Sequence, residues 1–87
     1  MKTATMKQAI GDRCPSLISI IEMVECGQGY VDGNMIFVDG LYETGKRKAL
    51  GLAARYPEYV CAKVTHDLRS VSISNICALI EEIRLGN

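Results

Sequence analysis

The segment Tyr30-Val31-Asp32-Gly33-Asn34-Met35-Ile36-Phe37-Val38 most constrains what this chain can fold into. Asp-Gly between two β-prone runs predicts a tight hairpin, because both central positions of the favoured turn need positive φ. Met35–Val38 is continuously apolar, which suits an inner strand better than an edge. Asp39-Gly40 ends the second run. Helical periodicity flanks this hairpin on both sides, so the fold must combine helices with a sheet.

Upstream, Leu17, Ile18, Ile20, Ile21 and Val24 fall at i, i+1, i+3, i+4 and i+7, and Met23 widens the stripe. Pro15 suits the first helical position, and Gly27 with Gly29 stops the helix, predicted over about 15–26. Residues 1–13 give the weakest signal. Thr3 to Ile10 offers a helical turn interrupted by Gly11 and Asp12, so this segment is expected to be flexible.

Downstream, a helix is predicted over about 41–56, with Asp39 as its cap and Pro57 as its terminator. Its apolar side reads Ala49, Leu50, Ala53 and Tyr56. The opposite side runs Arg47, Gly51, Arg55 at i, i+4 and i+8, with Lys48 and Thr44 beside it. Gly45 and Gly51 each cost a helix interior about 1 kcal/mol relative to alanine, so something other than propensity places them there. Glu58–Thr65 alternates, with Val60, Ala62 and Val64 on one face and Tyr59, Cys61 and Lys63 on the other. A turn at His66-Asp67 leads to Val71-Ser72-Ile73, an optional fourth strand. Ser74 is the expected N-cap of a last helix carrying Ile76, Leu79, Ile80 and Ile83 at i, i+3, i+4 and i+7. The fold class is α+β, in the order α-β-β-α-β-(β)-α, with helices on one face of a short, mainly antiparallel sheet. Its 87 residues suffice for one compact domain.

The formal net charge is zero, which argues against a general polyanion binder. The charge is unevenly spread: residues 46–69 hold Lys46, Arg47, Lys48, Arg55, Lys63 and Arg69 against only Glu58 and Asp67. Cys14, Cys26, Cys61 and Cys77 lack metal-ligand spacing, and His66 is the sole histidine, so no metal site is expected. The first ten residues lack the apolar core of an export signal, and three of the cysteines sit within apolar patterns. A cytoplasmic protein with free thiols is the expectation. No apolar run reaches the roughly 18–20 residues that span a bilayer.

Three chemical motifs are incomplete as sites. Cys61, His66 and Asp67 resemble a thiol–imidazole–acid set, but His66-Asp67 reads as ordinary turn chemistry. Thr44-Gly45-Lys46 lacks the Ser/Thr that follows the lysine of a phosphate loop, since Arg47 stands there. Glu22/Glu25 and Glu81/Glu82 have no histidine or second acidic element to complete a site, and solvation accounts for them. No enzyme activity and no cofactor are expected.

The basic ridge of Lys46, Arg47, Lys48, Gly51 and Arg55 is the remaining candidate. It predicts a small non-enzymatic protein-binding module, such as an inhibitor or accessory factor of the kind phages and mobile elements encode. Such a module would dock on an acidic surface of a larger protein or nucleoprotein machine. The alternative is nucleic-acid binding through the same ridge, although aromatic platforms are not interleaved with its charges. The apolar last helix, with Leu85, also suggests a homodimer.

Overall fold

The computed structural model describes residues 1–86. Eight elements follow one another: α1 (Thr3–Ile10), α2 (Pro15–Glu25), β1 (Gly29–Asp32), β2 (Met35–Val38), α3 (Glu43–Arg55), β3 (Val60–Val64), β4 (Arg69–Ile73) and α4 (Ile76–Arg84). The fold is α+β as expected, in the order α-α-β-β-α-β-β-α. The strands form one antiparallel sheet in the order β1-β2-β4-β3. Its radius of gyration, 11.7 Å, matches the roughly 12 Å of a single compact domain this long.

Two hairpins build the sheet and meet in its centre. Ile36 pairs with Ile73 and Val38 with Val71, and all four side chains are buried on the helix-bearing face. Period-two alternation therefore sends Tyr30, Met35, Phe37, Ser72 and Cys61 to the other face. There Tyr30 is 55% and Met35 44% exposed. Antiparallel sheets tolerate one wet face, which is why an inner strand as apolar as β2 is covered on one side only. Helix α2 lies over β1 and β2, and α3 over β3 and β4.

The hairpin turn differs from expectation by one residue. Asp32 pairs with Met35, so the two central positions are Gly33 and Asn34. Only Gly33 has positive φ, at 59°, a pattern that needs glycine first, as a II′ turn does. A second glycine answers to packing rather than turning. A Cβ on Gly29 would overlap the Phe37 carbonyl oxygen across the β1–β2 ladder.

Helix α2 starts at Pro15 and ends in a Schellman motif. The Gly27 amide donates to the Val24 carbonyl and the Gln28 amide to the Met23 carbonyl, both at 3.0 Å, with Gly27 at φ 89°. Residues 1–13, expected to be flexible, include the helix α1. Met6 and Ile10 lie on one face at i, i+4 and are fully buried, and α1 packs against α2 and α4. Lys7 adds an ion pair to Glu25 at 2.7 Å. Two large apolar residues in eight make a weak periodic signal, yet both become part of the core.

Several boundaries and faces also shift. Helix α3 begins at Glu43, and Asp39 does not cap it: the Asp39 carboxylate accepts from the Gly40 amide instead. Leu50, assigned to the apolar side, is 43% exposed, whereas Leu52 is buried. The cap of α4 is Asn75 rather than Ser74, its Oδ1 accepting from the Ala78 amide at 3.1 Å. The optional fourth strand is the full-length β4, central in the sheet.

Replacing Ile10 by alanine should lower folding free energy by about 2–5 kcal/mol, the range for truncating a buried aliphatic side chain. Equilibrium urea unfolding would measure it, and an effect near zero would mean that α1 is not part of the cooperative core. Gly29→Ala should cost about 1–3 kcal/mol through overpacking, without any loss of helix.

Candidate functional site

The basic ridge is built on α3, and its geometry follows from how that helix starts. Tyr42 occupies the N-cap position without a side-chain capping bond, so the first turn relies on Glu43 to complement the helix dipole. Glu43 also gathers two cations: Lys46 Nζ lies 2.8 Å and Arg69 Nη1 3.2 Å from its carboxylate oxygens. The hydrogen bond from Lys46, then its charge and those of Arg69 and Arg47, hold the Glu43 carboxyl below its ordinary value. Lys46 therefore belongs to an intrachain ion-pair cluster.

Lys48 is engaged as well. Its ammonium donates to Ser19 Oγ on α2 at 2.8 Å in a part-buried position, joining the two helices that cover the sheet. Gly45 assists the same junction. A Cβ there would stand 3.0 Å from Met23 Cε and 3.3 Å from Leu41 Cδ2, so the glycine lets α3 settle against α2 and the preceding loop. Of the five predicted ridge residues, two are thus occupied within the fold.

Arg47, Gly51 and Arg55 remain exposed along one row of α3, spanning about 12 Å of helix axis. Arg47 makes no hydrogen bond or ion pair among the described residues. The Arg55 guanidinium lies over the Tyr56 ring, 5.4 Å from its centroid. That contact leaves the fork's N–H groups free for a partner.

Tertiary packing adds residues that sequence reasoning missed. The loop between α1 and α2 brings Arg13 beside α3, and a cleft of about 250 Å³ opens between them. Arg13, Cys14, Pro15 and Ser16 line one wall; Gly51, Leu52 and Arg55 line the other. Only the i, i+4 row of α3 pointed here. Nothing local marks Arg13, which joins through the packing of α2 on α3.

The other candidates are scattered. Cys61 is exposed on the open sheet face, and His66 and Asp67 lie in the β3–β4 turn, where the Thr65 hydroxyl accepts from the Leu68 amide. No hydrogen bond links Cys61 to His66 among the described residues. All four cysteines are free thiols, and no group of three or more metal-ligating side chains occurs among the described residues. Glu25 is paired with Lys7; that hydrogen bond, followed by one from Thr3, lowers the Glu25 carboxyl, and the bond to Glu25 raises Lys7. No helix among the described residues is long and apolar enough to cross a membrane. The apolar row of α4 is taken up by the core, with Ile76, Leu79, Ile80 and Ile83 all at least 96% buried, while Leu85 beyond it is 69% exposed.

The open sheet face has its own character. The Tyr30 and Phe37 rings sit 5.6 Å apart. Tyr59 instead packs against the core, where burial raises its phenol and the nearby charges of Glu82 and Glu58 add to the shift. Aromatic surface and cationic ridge are therefore on opposite sides of the sheet. Comparison with protein-family models, curated proteins and solved structures gives no match to this chain.

Glu25 and Glu43 both ionise below the ordinary 4.5 in the folded chain. Their ion pairs thus stabilise the fold fully above that pH, and the contribution is lost as pH falls through the lowered folded values. Urea midpoints should drop below pH 4.5, and Glu25→Gln with Glu43→Gln should flatten that drop. Added salt should shrink the difference, as both pairs are solvent-accessible.

Proposed function

We propose that this chain is a non-enzymatic binding module that docks on an acidic surface of a larger protein through the arginine row of α3. The reading rests on one observation. Within the ridge, Lys46 and Lys48 are engaged by contacts inside the fold, whereas Arg47 and Arg55 are exposed and make no ion pair among the described residues, Arg47 acting on Glu43 through its charge alone. Gly51 lies between them and Arg13 alongside.

Exposed arginines on a rigid helix suit a protein interface. Their forks pair bidentately with carboxylates, and arginine is enriched among the residues that dominate binding energy. A helix pinned to its neighbour by Lys48–Ser19 and close-packed at Gly45 presents them with little ordering left to do. Charge complementarity would also make association fast and sensitive to salt. An inhibitor or accessory factor acting by occupying another protein's surface fits this arrangement. Nucleic acid is the weaker alternative, because the Tyr30–Phe37 pair that could stack bases lies on the far side of the sheet from the arginines.

The test is affinity capture from the native host with wild-type protein and with an Arg47→Ala/Arg55→Ala variant, read by mass spectrometry. Both substitutions are at exposed positions and should change stability by no more than about 0.5 kcal/mol. A specific protein partner should be retained by wild type, lost with the variant and released by salt. Undiminished capture by the variant would remove the proposed surface. Salt-steep binding of DNA or RNA that requires the same two arginines would favour the alternative.

A further inference from the structure

We propose that the cleft between the start of α2 and the last turns of α3 is a binding site for a phosphate group, gripped between Arg13 and Arg55. The inference does not rest on the docking reading. It concerns a concave site that shares Arg55 with the outward row, while Arg47 takes no part in it, so Arg47→Ala separates the two readings.

The cleft, about 250 Å³, is large enough for a phosphate and part of the molecule that bears it. Arg13 and Arg55 are among its lining residues, and no carboxylate-bearing residue is. Neither arginine has an ion pair among the described residues, and the acid nearest in sequence, Asp12, is not among the lining residues. Two cationic side chains lining one cleft make it favourable to an anion. A dianion with several oxygens can engage both forks, whereas a single carboxylate neutralises only one. The Tyr56 ring beneath Arg55 fixes one side of the grip.

Three further residues fit this use. Ser16 supplies a hydroxyl on the wall. Cys14, 4% exposed, lines the cleft with no hydrogen-bond partner for its thiol among the described residues. Gly51 is the most telling. It sits in the middle of α3 without positive φ, and a Cβ there would meet nothing within 4 Å. Packing thus explains Gly45 but not Gly51. A helix-weakening residue with no internal reason, on the wall of an arginine-lined cleft, is accounted for if a ligand must approach the backbone there.

The experiment is a titration of the full chain with inorganic phosphate at low ionic strength, read by amide chemical shifts against a chloride control. Saturable shifts are expected at residues 13–17 and 51–56. Arg13→Ala and Arg55→Ala should each weaken binding about tenfold or more, and Arg47→Ala should leave it unchanged. Gly51→Ala should raise the thermal midpoint yet weaken phosphate binding, and Gly51→Leu should abolish it. Acetate should bind at least about tenfold more weakly than phosphate. Shifts that do not saturate, or that depend equally on Arg47, would reduce the effect to surface screening and overturn the site. Equal affinity for acetate would overturn its assignment to phosphate. Unaltered binding in the Gly51 variants would do the same for the role of that residue and the pose it implies.

Discussion

The pairing of β2 with β4 is the contact on which the rest of this structure depends. Each hairpin alone would expose a half-apolar ribbon, and two-stranded ribbons are marginal in water. Joining them through Ile36–Ile73 and Val38–Val71 creates a four-stranded surface broad enough for two helices. Helix α2 then covers the first hairpin and α3 the second, and their mutual contact closes the layer. Helix α1 and the buried row of α4 complete the core around that pair. The basic face is a by-product of this order, since α3 can turn its arginines outward only once its Ala49 and Leu52 side is sealed against the sheet.

Electrostatics sorts the cations into two groups. Lys7, Lys46, Lys48 and Arg69 each find a partner within the chain and help tie helices, strands and loops together. Such exposed or half-exposed contacts contribute little free energy singly, and their larger effect is to remove charges from the surface available to partners. Arg13, Arg47 and Arg55, like Lys2, Lys63 and Arg84, make no ion pair among the described residues. What began as a ridge of neighbouring cations on one helix is narrower in three dimensions, then widened again by a residue from a different loop. The same packing that brings Arg13 to α3 creates the cleft beside it.

Much of the element pattern was legible because it is local. The row Ile76, Leu79, Ile80, Ile83 names its own helix, and the alternation through Val60, Ala62 and Val64 names its strand. The departures have local causes too. Asp-Gly and Gly-Asn both make good turns, and the cross-strand register of Asp32 with Met35 chose between them. Ser74 and Asn75 are both good caps, and the tie between the Ile76 amide and the Asn34 carbonyl holds the helix start where Asn75 serves. Helix α1 was obscure because Met6 and Ile10 gain their worth only from α2 and α4, which no window of eight residues contains.

Sequence alone determined that this chain alternates helices with hairpins and that Arg47 and Arg55, two turns apart with Gly51 between them, face away from the apolar side of α3. Both follow from periodicities of two and 3.6 residues, which act between near neighbours. Tertiary structure decided which cations stay available, because a salt bridge such as Arg69–Glu43 or a bond such as Lys48–Ser19 joins residues by packing rather than by spacing. It also decided that Arg13 and Arg55 share a cleft. A concave site exists only between elements, and its walls come together when the core that unites them is buried.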